Sequence, residues 1–275
     1  MAKPSWPTND ILTTGLAERS IPLEVRSVVD LASTQRVSGV ARLGGLETYN
    51  GRDLERFAEL QGRRRELLIY VIERAARHMR MWRSRGFKGS LLLAVPAQLI
   101  EDRTLATSID VISKSQDLEQ GGFTLLVPQA DYLKSGADAL NAVWRLRKIG
   151  CGVLMLIDSK AVVKFVPLRE NPFSGIALGG HHAWKRLKTA GPGQLGAAGS
   201  WIGWAESQGL SRLACDITDE SERQTARLYG FNLGEGGHFA DFIPAREFIC
   251  ESEPKPVIGE TGLPPPPLVV SLKRA

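Results

Sequence analysis

The chain has 275 residues, 43% hydrophobic and 24% charged, the balance of a folded protein rather than a disordered one. Thirty-five Lys and Arg against thirty Asp and Glu leave a formal charge of +5, which permits an anionic partner without requiring one. No apolar run approaches the roughly 20 residues that span a bilayer, MAKPSWPTND carries no apolar signal stretch, and Cys151, Cys215 and Cys250 are too scattered for a disulfide framework or a CxxC metal site. A soluble, cytoplasmic protein is expected.

Residues 1–20, with Pro4, Pro7, Asn9 and Asp10, show little periodicity and read as a flexible N-terminal arm. Residues 21–30 and 37–43 are β-branched-rich and separated by a polar turn, which predicts an opening hairpin. Residues 53–86 are the longest helical stretch: Leu68, Val71, Ile72, Ala75, Met79 and Trp82 define one apolar face, and Gly86 is a natural stop. Strands at 90–95, 123–128 and 153–157 then alternate with helices at 105–118 and 137–149. A weaker strand and helix follow at 161–166 and 183–189. After these come helix 197–208, strand 212–217, helix 220–229 and a late segment at 238–243. From residue 251 the composition turns to Pro, Gly and Glu. The 251–275 tail, with its run Pro264–Pro267, reads as a solvated segment in preference to a docking peptide.

Repeated strand–helix units with apolar strands mean a parallel sheet covered by helices, and seven or eight units in this length favour a closed barrel. No GxGxxG or GxxxxGK[ST] stands at a strand–helix junction. One barrel over residues 21–250 is expected.

Several framework segments occur in a familiar order: IPLEVRSVVDLASTQRVSGVARL, AARHMRMWRSRGF, LNAVWRLRKIGCGVLML, GWAESQGLSRLACDITDESERQTARLYGF and GGHFADFIPAREF. Together they resemble the EAL domain family, bacterial phosphodiesterases of cyclic di-GMP. The resemblance implies an α/β fold, a TIM-like (β/α)8 barrel of EAL type with an antiparallel first strand. It also implies a site in which two divalent metals clamp a phosphate, held by carboxylates at the strand ends. By the same resemblance the signature glutamate falls at Ala41, with Leu43 retained. The asparagine falls at Ala94, the next glutamate at Leu126, and the Asp-Asp pair at Ile157 and Asp158. The lysine falls at Ala177, the following aspartate at Gly179, late glutamates at Cys215 and Thr218, the glutamine at Glu235, and a phosphate-contacting arginine at Gly45.

Asp158 remains, and a one-residue slip adds Asp216; two carboxylates without the lysine do not make a paired-metal clamp. His181 and His182 point to opposite sides of an extended segment, which disfavours zinc. No metal, no other cofactor and no catalytic residue is expected. Cys215 lacks a base to activate it, and Asp219 with Glu222 reads as a helix cap.

The expected function is a catalytically inactive EAL-like module that regulates a protein partner in bacterial signalling of the motility or biofilm type. A first alternative is a non-hydrolysing cyclic di-GMP receptor using Arg42, Asp158 and Asp216. A second is a nucleic-acid-binding regulator using residues 52–88, where eleven Arg and Lys face five acids. Within that stretch Arg74, Arg77 and Arg85 are the candidate partner-binding residues. The resemblance leaves a homodimer open, and no membrane contact is expected.

Overall fold

A computed structural model describes residues 8–46, 48–96, 99–118, 121–158, 171–179, 183–184, 187 and 196–249. The expected strand at 161–166 and the 251–275 tail lie outside them. The first elements are β1 (Leu23–Asp30) and β2 (Arg36–Leu43), the predicted hairpin, paired antiparallel from Leu23↔Leu43 to Val28↔Ser38. Parallel pairing then runs through β3 (Leu91–Ala94), β4 (Phe123–Pro128), β5 (Gly152–Asp158), β6 (Gly175–Gly179), β7 (Ser211–Ala214) and β8 (Leu233–Glu235). β8 returns to β1, antiparallel, through Val28↔Glu235 and Asp30↔Leu233, and closes an eight-stranded barrel. A two-residue strand, β9 (Ile243–Pro244), extends β1 on its other flank.

The 1–20 arm requires correction. Thr8–Ala17 forms helix α1, whose Leu12 and Leu16 are buried against Ile21, Leu43, Leu54, Phe57 and Tyr70. Its apolar repeat spans only two turns, too short to stand out as a period.

The long helix at 53–86 is two helices, α2 (Gly51–Leu60) and α3 (Arg64–Ser84). Gly62 between them takes φ +68, a conformation in which the helix cannot continue. Asn50 starts α2 with a capping box: its side chain accepts from the Arg52 and Asp53 N–H groups, and Asp53 accepts from the Asn50 N–H. α3 buries the predicted face, with Ile72, Ala75, Met79 and Trp82 at 0% exposure. Beyond its end the Phe87 N–H bonds the Trp82 carbonyl and Gly86 bonds that of Arg83, a Schellman closure with the two rings 5.9 Å apart. Trp82 also meets Phe248, centroids 4.9 Å apart, which ties the end of the described chain to the barrel wall.

The remaining helices are α4 (Leu105–Ser115), α5 (Gln129–Lys148), α6 (Gly196–Ser207) and α7 (Glu220–Leu228). Asp219 caps α7 as expected, accepting the Glu222 N–H at 2.7 Å. β6 occupies GIALG, a segment with little length or β-branching to mark it as a strand. Its first residue is glycine because a Cβ at Gly175 would stand 2.2 Å from the Ser211 carbonyl oxygen.

Candidate functional site

Strand alternation sorts the barrel side chains into two sets. Val28, Leu92, Leu126, Leu154, Ala177, Leu213 and Cys215 form the interior, with Val40, Leu156 and Leu233 packed on them. Val25, Val29, Ala41, Leu93, Val127, Met155 and Ile157 belong to the outer core shared with the helices. Ala41 and Ile157 therefore do not face the mouth. On β2 the inward parity belongs to Val40 and Arg42, and on β5 to Leu156. An apolar run buried on both faces carries no sign of which face is which, so the sequence alone does not tell inward from outward positions on these strands.

The mouth holds a compact ionic cluster. Arg26, on β1 two residues before Val28, sends Nη2 to Glu235 Oε2, and the same nitrogen lies 3.6 Å from Asp216 Oδ1. Asp216 donates its backbone N–H to Glu235 Oε1 at 2.9 Å and takes φ +58, a left-handed state that aspartate adopts more readily than most side chains. Glu235 is 4% exposed; burial pushes its carboxyl upward, and the Arg26 charge opposes that push. Cys215 lies beside them. Burial drives its thiol well above the ordinary range, and the Glu235 and Asp216 charges add to the effect, so it stays protonated and unreactive.

Above this cluster sits Phe242. The Arg26 guanidinium lies 4.3 Å from its ring centroid and that of Arg42 lies 3.8 Å away. Arg42 is also paired with Glu24 at 2.8 Å. Of the three ligand candidates, Arg42 and Asp216 thus belong to one constellation, linked through Arg26 and Phe242. Asp158 ends β5 in register with Gly179, and its side chain lies outside the described set. Arg26 and Phe242 were missed in the sequence. The alternation in LEVRSVVD already placed Glu24, Arg26 and Val28 on one face, so a charged residue on an inward face was the available signal.

The basic stretch is partly neutralised from within. Arg63 pairs with Glu66, Arg64 with Glu59 and Arg65 with Asp102, at 2.7, 2.6 and 2.7 Å. Of the partner-binding candidates, Arg77 is exposed, Arg74 is half-buried with its Nε sealed from solvent and unpartnered, and Arg85 follows α3 as its C-cap. Arg74 and Arg77 share one helix face; Arg85 stands beyond the last turn.

The sequence matches the EAL domain family model over residues 11–241. The chain is an EAL domain. No curated protein matches it. Among solved structures it resembles the PaMucR phosphodiesterase in complex with c-di-GMP, with a TM-score of 0.72 at 16% identity over 86% of this chain and 97% of that one. The FimX EAL domain from Pseudomonas aeruginosa bound to c-di-GMP gives 0.69 at 15% over 86% and 96%. An EAL domain protein from Listeria monocytogenes EGD-e gives 0.69 at 17% over 90% and 97%. These likenesses establish the EAL barrel with its antiparallel first strand.

A divalent-metal pair in an EAL domain needs several hard oxygen donors converging at the strand ends. The described mouth of this EAL domain offers Glu235 and Asp216, both turned to Arg26, and Glu24, turned to Arg42, beside Ala94, Leu126, Ala177 and Cys215. No group of three or more His, Cys, Asp or Glu suited to a metal occurs among the described residues. This donor set does not fit a two-metal clamp. His238 is engaged elsewhere, its Nε2 3.1 Å from Glu220 at the start of α7. Among the described residues no helix is long and apolar enough to cross a membrane.

Proposed function

We propose that this EAL domain does not hydrolyse cyclic di-GMP and acts as a regulatory module that binds a protein partner in bacterial signalling. The observation that carries the reading is the Arg26 guanidinium held between Glu235 and Asp216. A fixed positive charge occupies the carboxylates that a divalent ion would need, and attraction for a second cation there is opposed by like charge. The surrounding inward positions are aliphatic, so they favour stability over chemistry.

The partner surface we favour is the exposed face of α3 around Arg74 and Arg77. A second reading, a receptor that binds cyclic di-GMP without cutting it, draws support from Arg26, Arg42 and Phe242, which offer two cations and an aromatic ring at the mouth. The nucleic-acid reading is weaker, because Arg63, Arg64 and Arg65 are all engaged by acids of the same chain.

Calorimetric titration of the full chain with cyclic di-GMP, with and without magnesium, separates these readings, together with a turnover assay in magnesium and manganese. The regulatory reading expects no turnover and no heat. Binding without turnover selects the receptor, and metal-dependent turnover overturns both. Loss of a captured partner in Arg74→Glu/Arg77→Glu locates the surface; an unchanged partner set removes it.

A further inference from the structure

A concavity of about 560 Å³ opens off the mouth, with which it shares Arg42 and Ala94, between the α2–α3 pair and the ends of β2 and β3. Its floor is aliphatic: Leu67, Leu68 and Val71 of α3 face Leu93 and Val95 of β3 and its following loop. No aromatic ring is found among the described lining residues, so the floor has nothing on which a nucleobase could stack. The rim carries Arg52 and Arg56 of α2, Arg64 of α3 and Arg42 of β2 with Glu55 and Glu59, and Arg42 is held by Glu24 at 2.8 Å. Glu59 is held by Arg64 at 2.6 Å.

We infer that this cleft binds an amphipathic anion, an aliphatic chain ending in an acidic head, with a medium-chain acyl carboxylate as its simplest form. The chain would lie over the Leu67–Val71 floor, and the carboxylate would meet the α2 arginines at the rim. An apolar floor rewards hydrocarbon and penalises sugar hydroxyls, while a net-positive rim selects and orients an acidic end. The volume falls within the range of small-molecule pockets, roughly 300–1,000 Å³. This inference goes beyond the regulatory reading: the cleft shares Arg42 with the mouth but is lined by neither Arg26, Glu235 nor Asp216, and it includes neither Arg74 nor Arg77.

The test is calorimetric titration of the full chain with octanoate, decanoate and dodecanoate, each below its micellar concentration. Saturable one-to-one binding is expected, tightening by about two- to fourfold per added methylene. Dodecyltrimethylammonium, with the same chain and the opposite charge, should bind at least about tenfold more weakly. Arg52→Glu/Arg56→Glu removes the head contacts on an exposed helix face, and Val71→Asp places a charge in the floor. Each should lower dodecanoate affinity by about tenfold or more; the arginine variant should keep its thermal midpoint, whereas Val71→Asp, at a residue packed against the core, should lower it, so the arginine variant decides. Absence of saturable binding, equal binding of the ammonium amphiphile, or unaltered affinity in the arginine variant would overturn the assignment.

Discussion

Arg26 and Glu235 meet across the seam where the first and last barrel strands join, a half-buried arginine and a buried glutamate closing one ion pair between β1 and β8. Removing one partner strands the other in a poorly solvated place, whereas removing both leaves only a packing problem. Arg26→Ala is expected to cost about 3–5 kcal/mol, with Arg26→Met/Glu235→Leu recovering most of it. Urea denaturation of the single and double variants gives the coupling directly. An additive double variant would mean that the pair contributes nothing beyond its two separate parts.

His78 supplies a pH dependence. Burial, aided by the Arg74 charge, pushes its imidazole down to about 4, while its ring lies 5.8 Å from Trp82. The folded state therefore holds a neutral ring where the unfolded chain, with a pKa near 6.5, takes up a proton. This contribution is fully present above about pH 6.5, falls as the pH drops toward 4, and is exhausted below that. Its size is on the order of 2 kcal/mol after discounting for partial exposure. His78→Phe should flatten the stability profile between pH 6.5 and 4; an unchanged slope would assign the acid sensitivity to other groups.

At the start of α2, Asn50→Ala should lower stability by about 1 kcal/mol, since two N–H groups lose the same acceptor. Asp53→Ala in that background should add a further loss of its own, because the bond Asp53 accepts comes from the backbone N–H of residue 50, which Asn50→Ala leaves in place. Thermal melts of the three variants measure both effects.

Gly175→Ala tests the crowding between β6 and β7. A Cβ placed 2.2 Å from the Ser211 carbonyl oxygen cannot be relieved by rotating a side chain, so the backbone must move. A loss of about 1–3 kcal/mol is expected. A neutral melt would show that the two strands separate at little cost.

How much the sequence reveals depends on whether its signal is local. Phe123–Pro128 is legible because β-branched and apolar residues stand between clear breaks, and the strand has the predicted bounds. Gly62 was legible only as a glycine, not as the break between two helices, since the apolar period continues on both sides. β8 is three residues long and gains its identity from partners more than two hundred residues away, so no local pattern could announce it. The same holds for the mouth. Arg42 and Asp216 stood out as charges at strand ends, but their linkage through Arg26 and Phe242 exists only once the barrel has closed.

That closure has a consequence for the nascent chain. Val28 pairs with Glu235, so the β1 edge that emerges early from the ribosome waits for about two hundred further residues before it is covered. At roughly 5–20 residues per second, the wait is on the order of ten to forty seconds. Throughout it, the β1–β2 hairpin presents unpaired backbone groups to any neighbouring strand. Synthesis is therefore the period of greatest risk of mispairing, and a ribosome-associated chaperone that shields this edge should raise the yield of folded protein more than one added after release.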